Sequence, residues 1–239
     1  VGVILSVTAT GLERSPPKAG RRELGKDERR RRVVDAACDL LREVGIEALS
    51  MKMLATRAGV SLSTVYNLFG SKHAVLARVF DLDLLKYEQL VADADSQDAL
   101  ERLFDAVDIA ADLYRADPGF YQATLRRWLA GPSGPFLNLA LREPRGRFWR
   151  RMVADARAEG LLKPDARPVV LATLAVQIFN GVLADWNDGE ITVDQLRDEI
   201  KFGFAVVFHP FSTGAAGERL RGKIANLHRT LAPERGPLG

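Results

Sequence analysis

Between Lys26 and Leu90 the chain is cut into short lengths by residues that stop and restart helices, and this punctuation constrains the fold more than any other feature. Val33, Ala37, Leu40, Leu41 and Val44 recur at helical spacing, and Gly45 ends the run. Ser50 is placed to cap a second helix through Ala58, Gly59 suits a turn that needs positive φ, and Ser61 can cap a third helix through Phe69. Ser71 then caps a fourth helix running to about Leu90. Helices this short bury their apolar sides only against one another, which predicts a compact all-α unit.

Similar signals continue downstream. Ser96 opens a helix with Leu100, Leu103, Phe104, Val107, Ala111 and Tyr114 on one face, and Asp117-Pro118 is an N-cap and first-turn pair for the next, through Ala130. Gly131 to Pro135 reads as a loop. Helices are expected over Pro144 to Glu159, over the apolar Pro164 to Asp188, and from a Thr192/Gln195 capping box to just before Pro210. A polar tail, Gly217 to Leu231, retains helical potential. No segment alternates with strand period, so the expected class is all-α without a sheet.

Charge is informative only once it is located. The net charge is +3, but residues 1–73 hold 13 Lys and Arg against 8 Asp and Glu, while the other 166 residues hold 21 against 23. Nine of the basic residues lie between Arg14 and Arg32, and residues 1–25, with Pro16, Pro17 and no apolar period, read as a flexible basic arm. A lone cysteine, Cys38, with scattered His73, His209 and His228 predicts neither a disulfide nor a metal site, and no cofactor. Apolar Val1 to Leu5 lacks a basic flank and is broken by Ser6, Thr8 and Thr10, so it does not read as a signal peptide. The longest uncharged stretch, Pro168 to Ala184, is short of a membrane span. A cytoplasmic protein with no membrane partner is the expectation.

The stretch Met51 to Lys72, MKMLATRAGVSLSTVYNLFGSK, carries the function. Small Ala55 and Ala58 let two helices approach closely, and Val60, Val65 and Phe69 supply the core side of the third. Its other face offers Leu62, Ser63, Thr64, Tyr66 and Asn67, a short polar and aromatic surface suited to a DNA major groove. The alternatives are local: Tyr66 as a half-buried packing residue, Ser61 and Thr64 as caps, Asn67 as an inert surface residue. Lys72 is a cation in the first turn of a helix, where acidic residues are favoured, and a DNA phosphate would remove that conflict.

These residues resemble the tetracycline-repressor (TetR) family of bacterial transcriptional regulators: Leu54-Ala55, Ala58-Gly59-Val60-Ser61, Thr64-Val65-Tyr66, Phe69 and Lys72, preceded by a basic first helix. The motif spans residues 26–76; beyond it the likeness is one of architecture. The resemblance implies an N-terminal three-helix helix-turn-helix domain (26–73), after the arm (1–25), then an all-helical ligand-binding and dimerisation domain (74–210) and a partly helical polar tail (211–239). It implies a dimeric repressor, not an enzyme, that binds a palindromic double-stranded operator. Ser63, Thr64 and Asn67 would reach bases or nearby phosphates, Tyr66 and Lys72 would hold phosphates, and Lys52 would add a contact. Leu62 departs from the polar residue often found at its position. It would touch a thymine methyl or face solvent.

For the C-terminal part, the resemblance implies that Ala166–Trp186 and Val193–Phe208 form an intersubunit four-helix bundle. A small apolar or aromatic effector would sit among some of Phe104, Trp128 and Trp149, oriented by polar groups such as Gln177 and Asn180. The last two are equally placed to hydrogen-bond across a dimer interface. Ligand binding would tilt the helix beginning at Ser71 and weaken operator binding. The competing reading is a dimeric DNA-binding regulator with no effector, its C-terminal domain serving only dimerisation or partner docking. A helical enzyme is disfavoured because no Ser/His/acid set, nucleotide-binding loop or metal-ligand cluster occurs.

Overall fold

The computed structural model describes residues 18–129 and 135–231, with side chains at 23, 25–124 and 144–231. The first helix, α1 (Lys18–Ala48), begins within the stretch expected to be an arm. Gly45, at φ 74° and ψ 177°, breaks it where the stop was expected. After it come α2 (Met51–Ala58), α3 (Leu62–Phe69) and α4 (Lys72–Ala92). Ser50, Ser61 and Ser71 cap these three, accepting from the backbone amides of Met53, Thr64 and Ala74. Their side chains thus satisfy amides that a helix start leaves unpaired.

The remaining helices are α5 (Ala99–Ala116), α6 (Pro118–Leu129), α7 (Pro135–Ala158), α8 (Pro168–Asn187), α9 (Val193–Phe208) and α10 (Gly214–Leu231). Asp98, not Ser96, caps α5, because its carboxylate reaches the amides of Leu100 and Glu101 whereas the Ser96 hydroxyl donates to Asp105. Helix α7 starts earlier than expected and carries Pro144 in its interior. The expected loop at 131–135 falls largely outside the described residues, as do 1–17 and 232–239. Thr192 and Gln195 form the expected capping box. The described residues contain no strand, only an isolated bridge between Leu162 and Ser212.

Two packed groups emerge. In the first, Val33, Ala37, Leu41, Leu54, Val65, Val75 and Leu76 meet from α1 to α4. In the second, α5, α8 and α9 contribute Leu103, Phe104, Leu171, Leu183, Leu196, Phe204 and Phe208, all buried. Helix α10 is part of this packing rather than a free tail: Ala216 and Leu220 are buried, Arg219 pairs with Asp98, and Lys223 pairs with Glu101 at 2.9 Å. The groups are joined by α4 and by a seam between α1 and α6. There Arg42 bonds Asp117 at 2.8 Å and stands over the Phe120 ring at 5.7 Å. Helix α8 is long and apolar enough to cross a membrane by composition, but Leu171, Ala175, Phe179, Leu183 and Trp186 are buried inside this protein.

Candidate nucleic-acid interface and effector cavity

The turn between α2 and α3 is made by Gly59, whose φ of 63° lies in the left-handed region that a side chain disfavours. The amide of Val60 then bonds the carbonyl of Ala55 at 3.0 Å. Leu54, Ala55 and Ala58 are buried, and Val65 alone of α3 is fully enclosed. Arg57 grips Glu43 through both carboxylate oxygens, at 2.8 and 2.6 Å, and so ties α2 to α1 and lowers the Glu43 pKa.

With Val65 pinned inward, the opposite side of α3 is exposed. Leu62 is 43% and Tyr66 49% accessible, one helical turn apart, and Asn67 is exposed beside them. Tyr66 is therefore not a core residue. Ser63 and Thr64 have a local role: their hydroxyls lie 2.9 and 2.7 Å from the Ser61 hydroxyl at the helix start. Lys52 is exposed on α2. Lys72 has a partner within the chain: its ammonium donates to the Glu47 carbonyl near the end of α1 at 3.3 Å. That backbone oxygen relieves part of the unfavourable placement of a cation at the start of α4. The basic run of α1 reaches this side too, since the Arg32 guanidinium lies against Gly59, 3.8 Å from where a Cβ would stand.

A cavity of about 460 Å³ lies among α4, α5, α6, α7 and α8. Its aromatic wall is continuous: Tyr87 meets Phe148 at 5.3 Å, Phe148 meets Trp149 at 5.4 Å, and Trp149 meets Phe179 at 5.7 Å. Trp149, Gln177 and Asn180 line it as expected residues. Phe104 does not. It is buried elsewhere, edge-on to Phe204, with the Lys223 ammonium 4.7 Å from its ring centre. The Trp128 side chain falls outside the described residues.

Sequence reasoning missed the polar corner of this cavity. The Tyr121 hydroxyl donates to Asp83 at 2.8 Å, and Arg145 stands 3.8 Å from the same carboxylate. Burial, reinforced by the Asp83 charge, raises the Tyr121 pKa, and burial pushes neighbouring Tyr114 up to about 12. Asp83 was detectable in principle, because it falls on the buried stripe of α4 between Phe80 and Tyr87, where an apolar residue is expected. Among the described residues no group of three His, Cys, Asp or Glu side chains is arranged to hold a metal ion. Burial raises the pKa of the half-buried Cys38 thiol, which disfavours the reactive thiolate.

Comparison with known proteins agrees with this architecture. Residues 33–79 match the family of bacterial regulatory proteins of the tetR type. The repressor KstR2 of Rhodococcus jostii is 28% identical over 195 residues, covering 77% of this chain and 93% of its own. An uncharacterized helix-turn-helix regulator of Mycobacterium tuberculosis, Rv0767c, is 27% identical, covering 72% and 76%. In fold, the chain is similar to SmeT, repressor of a Stenotrophomonas maltophilia multidrug efflux pump (TM-score 0.62, 21% identity, covering 78% and 92%). It is likewise similar to Thermus thermophilus FadR in complex with lauroyl-CoA (TM-score 0.61, 18% identity, covering 77% and 96%). Residues 33–79 thus form a DNA-binding domain of the tetR type, and the chain as a whole is similar to TetR-type transcriptional regulators.

Proposed function

We propose that the protein is a homodimeric repressor that holds a palindromic operator through the exposed face of α3 and is released from it by a small, largely apolar molecule bound between α4 and α8. The cavity carries this reading. Its volume of about 460 Å³ lies within the ~300–1,000 Å³ of small-molecule sites, and its wall is mostly aromatic and aliphatic. It includes Asp83, Leu84 and Tyr87 of the helix that starts at Lys72 beside the DNA-binding unit. A ligand that favours a shifted α4 changes the spacing of two recognition helices, and ~1–3 kcal/mol of such coupling gives a switch of roughly 5- to 150-fold.

On the DNA side, Leu62, Tyr66 and Asn67 form the outward row, Lys52 flanks it, and Ser63 and Thr64 contribute from the first turn, where α3 also presents free amide dipoles to a phosphate. Lys72 serves the phosphate backbone by exchanging its carbonyl partner. For dimerisation, the outer side of α8 exposes Val169, Val170 and Leu174 at 62%, 49% and 42%, and α9 exposes Val206 at 44%. An apolar row of this extent beside a closely packed helix pair is the self-complementary surface that a two-fold interface uses.

A gel-shift titration of the bound operator against a panel of apolar and aromatic small molecules tests the sensor reading. Release of DNA by a member of the panel, weakened when the exposed rim residue Thr173 is changed to Trp to fill the cavity mouth, supports it. If no molecule alters operator affinity, the regulator without effector is the better description.

A further inference from the structure

Helix α1 is 31 residues long, but no described residue of it before Val33 is buried, and the tetR-type match also begins at residue 33. The stretch from Lys18 to Arg32 carries eight Lys and Arg against three Asp and Glu, and Leu24 is its only large apolar residue. A helical segment this polar has no side to bury against a protein core or a lipid bilayer, so a polyanion is the partner its composition fits. Its cations are sorted by side. Arg30 pairs with Asp27 at 3.3 Å and Arg31 with Glu28 at 2.8 Å. Positions 18, 22, 25, 29 and 32, alternately four and three apart, fall in a different row, and they hold Lys18, Arg22, Gly25, Arg29 and Arg32 with no acidic residue among them. The Arg29 guanidinium lies along this row, 3.5 Å from where a Cβ of Gly25 would stand. At the row's end the Arg32 guanidinium lies 3.8 Å from where a Cβ of Gly59 would stand, at the turn that leads into α3.

Resting on the DNA-binding reading of α3, we infer that this row is a second DNA-contacting element, which lies along the phosphate backbone beside the base pairs that α3 meets. From Lys18 to Arg32 the helix rises about 21 Å, a length over which double-stranded DNA carries roughly twelve phosphates. A guanidinium fork matches phosphate oxygens in shape as well as charge. Such contacts carry no base information; they add affinity, lengthen the footprint on the duplex and make binding depend on salt. Because α1 runs on from its packed part into this row, the cations are held in register before DNA arrives, which lowers the ordering cost of binding.

Fluorescence anisotropy of the full chain on a labelled random-sequence duplex of about 30 base pairs, between about 50 and 200 mM KCl, tests the inference, since phosphate contacts need no identified operator. In Arg29→Gln/Arg32→Gln the slope of log affinity against log salt is expected to fall by about 1.8, two phosphates at ~0.9 each, so that the rise in salt costs about twelvefold less affinity than in the wild type. Arg30→Gln/Arg31→Gln, the same charge change at the acid-paired residues, leaves the slope nearly unchanged. Gly25→Lys fills the gap in the row and steepens the slope by about 0.9, a gain that no folding defect produces. Thermal unfolding shows whether each variant folds, and if Arg29→Gln/Arg32→Gln does not, Gly25→Lys decides alone. An unchanged slope in Arg29→Gln/Arg32→Gln, an equal fall in both arginine pairs, or no steepening in Gly25→Lys overturns the inference and leaves recognition by α3 standing. A wild type that binds no duplex overturns both.

Discussion

Gly203 in α9 faces Ile178 in α8, and the contact is tight enough to fix what an alanine would do. A Cβ at position 203 would stand 2.6 Å from Ile178 Cγ2 and 3.3 Å from its Cδ1. Relaxed carbon contacts need ~3.5–4.0 Å, so the shortfall is about one ångström. Cγ2 hangs directly on the Ile178 Cβ, and a β-branched side chain in a helix has one strongly preferred χ1. Either that rotamer is lost or α8 and α9 separate, at a cost of ~1–3 kcal/mol. Alanine's better helix propensity returns about 1 kcal/mol. The expected net is destabilisation of roughly 0–2 kcal/mol, and ~2–4 °C in Tm per kcal/mol at this chain length. Calorimetric melts at fixed protein concentration measure it, because a dimer's Tm depends on concentration. Gly222→Ala, in α10 with nothing within 4 Å of its Cβ, is the control and should raise Tm. In an Ile178→Ala background, Gly203→Ala should cost nothing. If Gly203→Ala stabilises as much as Gly222→Ala, the close α8–α9 approach is refuted.

Other expectations are smaller in scope. Thr192→Ala removes the side-chain half of the α9 capping box and should cost ~0.5–2 kcal/mol in denaturant melts; an unchanged midpoint would show the cap to be dispensable. Tyr114, whose folded pKa is about 12 against an unfolded value near 10, stabilises the fold fully below pH 10, and that contribution is lost as pH rises toward 12. Tyr114→Phe should flatten the alkaline loss of stability by on the order of 3 kcal/mol, measured as urea midpoints across that window; an unchanged slope counts against burial as its source. Tyr66→Phe should weaken binding to all operator sequences alike in a gel shift, whereas Asn67→Ala should change which bases are preferred. The reverse pattern would exchange the roles of the two residues.

The DNA-binding unit was legible in the sequence because its determinants are local. Serines before α2, α3 and α4 and glycines that end α1 and α2 act within three or four residues, and Ser50, Ser61, Ser71, Gly45 and Gly59 all stand where those rules place them. Errors arose where two local signals competed or where distance mattered. Ser96 and Asp98 both suit an N-cap, and the carboxylate took the role while Ser96 bonded Asp105. The internal partner of Lys72 was hidden by distance: Glu47, remote in sequence, offers a carbonyl that relieves part of the charge conflict. Aromatic content alone could not sort cavity from core: Trp149 lines the cavity, while Phe104 is held beneath α10 by Lys223. The Asp83, Tyr121 and Arg145 cluster joins three helices, so no single stretch of sequence displays it.

The central claim is that two copies of this chain present α3 to two half-sites at once. Selecting bound sequences from random double-stranded DNA with the purified protein tests it most directly, because one recovered motif reports recognition and symmetry together. A palindrome with half-sites spaced by about one helical turn or a multiple, no longer enriched with Asn67→Ala, is the predicted result. Recovery of a single unpaired half-site, or of no motif at all, would contradict it.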